Sequence, residues 1–512
     1  MTTTSHRRIA KNSIVLYLRM IVMMGISIFT TRIVLEGLGV VDFGIYNIVG
    51  GVIGFISMIT GALTISVERF LNFELGKDNR GRVSEVFSSA LIIHLGLALL
   101  LLLILETLGY WYFSTYIKVP AAQYEAAMTV YHLSSIASCV LLFSSPFLAL
   151  SVSFERMGVY AGMTVGDVVL KLIAAYLILT VNSGRLVYYG IFILAAACIS
   201  AAAYFIIWIT MFRDVRFTVR LQKSLFVQIT SFASWNGLNQ LSWAFTLQGV
   251  NILLNLFFGN VLNAAYGVTS QMRNAFNRFV QSFQTAINPQ IIKNYARQDI
   301  QEMMILVFSG TRFSCLMVLM MVIPFWIEMD AVLHIWLTDV PPYTVIFCRI
   351  MLVTILLDAL SSYFEIAIMA TGKIRNYQIL CSAVLFMNFP LSYIMIRLTH
   401  LPYMIYYVYG FVSICVLGLR IYLATRKLDI PIWFGFLRTV LWPVTKVLVC
   451  AAPLSFLIYI CLGHLPFVAQ FVAVIILSVV VTGFSSLMFG LSSAERGRVM
   501  TIIKNKIGRR QE

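Results

Sequence analysis

Long apolar stretches separated by short polar or charged breaks run the whole length of the chain. Read against glycine, proline and charge breaks, they predict about fourteen helical spans. These fall at 13–35, 44–66, 86–115, 122–152, 158–182, 187–212, 226–257, 262–287, 303–327, 344–371, 376–397, 402–424, 440–463 and 466–490. Each is long enough for a bilayer crossing, which takes roughly 20 residues. The last two are divided only by the breaker Gly463-His464-Leu465-Pro466. No break is long enough for a separate extramembrane domain, and no cleavable signal peptide is expected ahead of the first span.

Charge refines this pattern. With the N-terminus in the cytoplasm, the inside segments hold 24 basic residues and the outside segments only Lys118, Arg185 and Arg397. That alternation predicts an N-in, C-in topology. Composition agrees: 60% of residues are hydrophobic, and 11% are charged, against about 25% in ordinary soluble domains. Mean hydropathy is +0.89. The net charge of +16 does not signal nucleic acid, because the basic residues punctuate apolar spans instead of clustering. The eight cysteines show no paired spacing, so neither a disulfide framework nor a metal site is expected. No cofactor is implied.

An internal repeat is also visible. The stretch around Gly39 and Tyr46 recurs around Gly259 and Tyr266 at an offset of 220 residues. Both copies join an odd span to the next even one, which keeps orientation and implies parallel repeats about an axis along the membrane normal. Transporters often carry such repeats and bind substrate between them.

Residues 13–76, together with VERFLNFELGKDNRGR over 67–82 at their end, resemble the first two helices of Wzx-type polysaccharide flippases. That family belongs to the MOP superfamily, with lipid II flippases and MATE drug exporters. The resemblance implies an all-α polytopic membrane protein with two pseudo-symmetric six-helix lobes around a central cavity. The lobes would be 1–220 and 221–428, followed by two helices in 429–490 and a basic cytoplasmic tail in 491–512. It also implies an undecaprenyl-diphosphate-linked oligosaccharide as substrate, turned from the cytoplasmic to the periplasmic leaflet of a bacterial inner membrane.

Intramembrane polar residues are costly in hydrocarbon and mark candidate sites. In the eighth span Asn263, Ser270, Gln271, Asn274, Asn277, Arg278, Gln281 and Asn288 share about a third of the helix circumference, with Arg273 on the flank. Such a stripe lines either a water-filled cavity or a hydrogen-bonded seam between helices. In the seventh, Asn236, Asn239, Gln240 and Trp243 share one face, and Gln248, Asn251 and Asn255 another. The first adds Arg19, and Arg32 near its outer end, where snorkelling to the interface is an equal reading. Together these arginines suit a diphosphate, since guanidinium pairs with phosphate oxygens and stays charged.

Asp358 and Glu365 are seven apart on one face of the tenth span. They read either as a proton or sodium coupling site or as partners of cations such as Arg312, Arg420 or Lys446. Asp167 and Lys171 read as a mutual pair. Glu68, Arg69 and Glu74 read as an inner gate or as interfacial charges. The tail from Arg496 to Arg510 is expected to rest on anionic membrane lipid.

The competing classes are a lipid II flippase, a MATE-like drug exporter and, last, a membrane polymerase or ligase. A positive cavity would repel cationic drugs. An enzyme would want a long outer loop rich in acids and histidines, and the one around 328–342 offers only Asp330, His334 and Asp339. A non-enzymatic monomer is therefore expected.

Overall fold

The computed structural model describes residues 3–53, 55–116, 119, 121–218, 222–258, 260–337, 340–492 and 495–497. Among them the chain is helical and has no strand. Gly259, Asp339 and most of the basic tail lie outside these residues, as do the side chains of Gln248, Asn255 and Asn263. Among the described residues, twelve runs are long and apolar enough to cross a membrane. Of the fourteen expected spans, 44–66 and 262–287 are not among those twelve. The former includes residue 54, which lies outside the described residues, and takes in the end of α1 and the start of α2 on either side of it. The latter lies within a 37-residue helix whose amides and cations keep it polar.

The helices fall into two compact units, 1–241 with 285–299 and 242–284 with 300–512. The first unit holds α1 (Thr3–Ile53), α2 (Phe55–Gly76), α3 (Arg80–Ile104), α4 (Tyr110–Tyr116), α5 (Tyr124–Ser153), α6 (Met157–Leu179) and α7 (Arg185–Met211). It also takes the first half of α8 (Lys223–Phe258) and the last turns of α9 (Asn260–Ala296). The expected break after the first span is a bend inside α1, at Gly39 with φ 78° and ψ 169°. A side chain would resist that backbone, and glycine does not. Here α6 packs along α1, and α5 is flanked by α2, α3 and α7. Leu16, Val152, Met157 and Ala286 meet in its core beside Tyr160.

The second unit contains α10 (Ile300–Ile327), the short α11 (Met329–Trp336), α12 (Thr344–Ala370), α13 (Arg375–Phe386), α14 (Asn388–Thr399) and α15 (Met404–Leu428). It ends with α16 (Ile432–Phe436), α17 (Trp442–Cys461) and α18 (Phe467–Ser485). Within it α12 packs between α10 and α15, and the α17–α18 hairpin lies against α10.

The 220-residue offset reappears in the backbone. After α2, Asp78 takes φ 54°, and Asn79 N–H reaches back to the Glu74 carbonyl at 3.1 Å. After α9, Gln298 takes φ 62°, and Asp299 N–H reaches the Asn294 carbonyl at 3.0 Å. Both are Schellman closures, which satisfy the last carbonyls of a helix. The repeated tyrosines behave alike: Tyr46 packs on Tyr189 of α7, and Tyr266 packs on Tyr406 of α15.

Candidate functional site

In the second unit Arg273 of α9 is buried, and its Nη2 donates to Asp358 Oδ2 of α12 at 2.9 Å. The same oxygen accepts from Tyr409 Oη at 2.9 Å, and Oδ1 accepts from Ser413 Oγ at 3.0 Å, both on α15. The guanidinium sits 4.1 Å from the Tyr409 ring centroid and 5.6 Å from that of Trp243 on α8. A buried cation is costly unless paired and hydrogen-bonded, and Asp358 with two aromatic faces meets both needs. The Asp358 side chain keeps 28% exposure, so the pair is uncovered on one side.

Seven residues along α12 the arrangement differs. Arg420 donates to Glu365 Oε2 at 2.6 Å, Ser361 Oγ at 2.8 Å and Tyr377 Oη at 3.0 Å. All three guanidinium nitrogens are engaged, so this cluster clamps α12, α13 and α15 together. Of the cations anticipated as partners, Arg420 takes Glu365. Arg312 instead meets Glu495 at 2.5 Å, and Asp358 is held by Arg273.

The stripe on α9 is uncovered. Gln271, Asn274, Arg278 and Gln281 are exposed, and Asn277 is partly so. Arg278 forms no ion pair among the described residues; its carbonyl accepts from Ser282. Residues spaced 3, 4 and 3 apart lie along one line of a helix. A helix-to-helix seam would bury them, and hydrocarbon would not tolerate them. The line therefore borders water.

The remaining candidates belong to the first unit. Arg19 of α1 lies 4.7 Å over the Tyr160 ring of α6, and its Nε is buried without a hydrogen-bond partner. Arg32 is exposed. Asn236 of α8 is buried and donates to Ser66 Oγ of α2 at 3.4 Å, with Asn239 buried nearby and Gln240 beside Gly61. Thus Arg19, Arg32, Asn236, Asn239 and Gln240 fall in one unit, and Gln271, Arg273, Asn274, Asn277, Arg278, Gln281, Asp358 and Glu365 in the other. Arg69 is buried against Phe70 and Phe73, 4.7 Å from each centroid. Asp167 accepts from Tyr204.

Two features escaped sequence reasoning. Tyr409 and Ser413 sit in an apolar helix with no periodic polar signal. The second is a contact in the first unit: Lys293 Nζ of α9 donates to Glu155 Oε1 at 2.7 Å, Gln290 adds a bond at 3.3 Å, and Asn12 donates to the Glu155 carbonyl at 3.5 Å. Glu155 reads in sequence only as a charge in a short turn.

No protein-family model matches the chain. Over 285 residues it is 21% identical to the uncharacterized membrane protein EpsK of Bacillus subtilis, covering 54% of this chain and 55% of that one. The chain thus matches about half the length of that curated relative. Among solved structures, a MOP superfamily transporter from Pyrococcus furiosus superposes with a TM-score of 0.73 at 13% identity, covering 84% of this chain and 99% of that one. A multidrug resistance MATE family transporter in an outward-facing conformation gives 0.71 at 14% identity, with coverages of 84% and 99%. The likeness is one of fold: the described residues are all-helical, with twelve runs long and apolar enough to cross a membrane, and they take the fold seen in these transporters.

Proposed function

We propose that the chain is a flippase that turns an undecaprenyl-diphosphate-linked oligosaccharide from the cytoplasmic to the periplasmic leaflet of a bacterial inner membrane. In this reading it works as a monomer by alternating access, with 1–220 and 221–428 as the moving lobes. The observation that carries it is Arg278. An arginine in the middle of an exposed line of amides, with no ion pair among the described residues, attracts an anion and repels a cation. Arg19, half-buried over the Tyr160 ring and without an ion pair among the described residues, is a second cation. A diphosphate headgroup gives such guanidinium groups paired acceptor oxygens. The amides beside Arg278 would hydrogen-bond sugar hydroxyls, while the polyprenyl tail stays in lipid.

A MATE-like exporter of a cation is the rival, favoured by the MATE neighbour and by the partial exposure of Asp358. Pocket polarity does vary on this fold: the Pyrococcus transporter is described as having a binding pocket of reverse polarity that suggests a different function. A lipid II flippase would use the same basic chemistry and differs only in the sugar.

The test is translocation of lipid-diphosphate-linked oligosaccharide in proteoliposomes by wild type, Arg278→Ala and Arg19→Ala. Each variant is expected to lose at least tenfold in rate, a loss of about 1.4 kcal/mol or more. Lipid II run in parallel separates the two flippase readings by preference. Unchanged rates in both variants would remove the basic site, and export of a cationic dye lost in Asp358→Asn alone would favour the exporter.

A further inference from the structure

In the second unit a cavity of about 380 Å³ opens where the end of α10, the short α11 and the start of α12 meet the turn between α17 and α18. Its walls are aromatic. Trp326 comes from α10, Phe456 and Tyr459 from α17, and Phe467 from α18. The Phe456 and Tyr459 rings lie 25° from parallel, with centroids 6.3 Å apart.

The polar groups around that face are few and placed. Arg349 donates Nε to the Trp326 carbonyl at 3.1 Å and Nη2 to Asp330 at 2.8 Å, so its charge is met on the spot. Gln470 adds an amide. Glu328 is only 6% exposed, and its Oε1 accepts no hydrogen bond. Burial, and then the neighbouring Asp330, push its carboxyl above the usual range.

Aromatic rings at the end of a membrane helix have an ordinary explanation as interfacial anchors. That explanation covers Trp326, Phe456 and Phe467. It does not cover a buried carboxyl left short of a donor, since such groups normally find one. The occupant cannot be a strong anion, because the Arg349–Asp330 pair is neutral as a whole and Glu328 is the charge left over. A hydrophobic occupant would leave Glu328 unmet. A ring with apolar C–H faces and hydroxyl edges answers both walls at once: C–H groups lie against the negative faces of the aromatics, and a hydroxyl donates to the carboxylate edge that Glu328 presents to the cavity, since its Oε1 is sealed off. The volume lies at the small end of the roughly 300–1,000 Å³ of small-molecule sites, enough for one or two sugar rings and too small for a lipid headgroup with its chain.

We infer that this cavity is a pyranose-binding site, built by the α17–α18 hairpin against α10–α12. That the sugar is a unit of the transported glycan rests on the flippase reading; the binding itself does not. The positive-inside pattern puts this end of the unit outside, where a glycan would emerge.

The test uses the full chain in nanodiscs and saturation-transfer NMR with methyl glycosides of the common hexoses and N-acetylhexosamines. Wild type is expected to saturate the ring protons of at least one glycoside, and Phe456→Ala and Glu328→Gln to bind it at least tenfold more weakly. Phe456 is half exposed, and Glu328→Gln is nearly isosteric, so neither opens a core void. Arg278→Ala is expected to keep the glycoside signal while losing lipid translocation. No signal in wild type, or equal signals in both cavity variants, would overturn the site. Glycoside binding without lipid translocation by wild type would leave the cavity standing and sink the flippase reading.

Discussion

Asp358 holds Arg273, Tyr409 and Ser413 at once, and this concentration of donors on one carboxylate suggests how an ion could be coupled to an anionic substrate. While Asp358 is charged, Arg273 is already neutralised. A proton or a sodium ion on Asp358 would release that arginine to a phosphate, and its departure would take the arginine back. Glu365 is differently placed, because Arg420 is also bound to Ser361 and Tyr377 and is held whatever happens to the acid. Asp358→Asn should therefore make translocation indifferent to an imposed proton or sodium gradient. The measurement is the initial rate in proteoliposomes with and without each gradient. Gradient stimulation that survives the substitution would move the coupling elsewhere. Sequence alone placed both acids on one face of a helix. It did not show which cation met which acid, because Arg273 and Asp358 are 85 residues apart and their pairing depends on the rotation of two helices about their own axes.

Helix α9 was the element most readable in advance. Its polar residues recur at the helical period over several turns, so their common face follows from spacing alone, and the structure leaves that face uncovered. What spacing could not show is how tightly the end of α9 is held. Gly76, the last residue of α2, faces it so closely that an added Cβ would stand 2.6 Å from the Lys293 carbonyl and 2.8 Å from its Cα. The Gly76 carbonyl in turn accepts from Arg297 Nε at 3.1 Å. Those neighbours are backbone atoms, which no rotamer change moves aside, and overpacking of a tight site costs about 1–3 kcal/mol. Gly76→Val should fall at the upper end of that range and lower the thermal midpoint of the detergent-solubilised protein. Gly25, whose Cβ would meet nothing within 4 Å, is the control, since Gly25→Ala should leave the midpoint within a degree or two. Equal midpoints for Gly76→Val and wild type would mean that the two helix ends separate freely.

At the scale of the molecule, α9 begins in one compact unit and finishes in the other. In the flippase reading, the contacts that fix its last turns therefore bear on the transport movement. Lys293 and Glu155 are the charged part of that hold, both largely buried and joined at 2.7 Å, with Gln290 on the same carboxylate. Removing one partner of a buried pair leaves the other uncompensated, a penalty of about 3–5 kcal/mol. Both residues lie in the first compact unit, so the pair holds the end of α9 within that unit, and in the flippase reading its loss should slow translocation by loosening that hold. Glu155→Lys sets two cations against each other, and Lys293→Glu sets two acids. Either alone should lower translocation at least tenfold, and the exchanged pair should recover most of it. This double-mutant comparison isolates the pairwise term from whatever each residue does separately. Rates for the exchanged pair no better than for the worse single variant would mean that each side chain acts through other neighbours. Recovery would show that Lys293 and Glu155 act on the end of α9 as a pair.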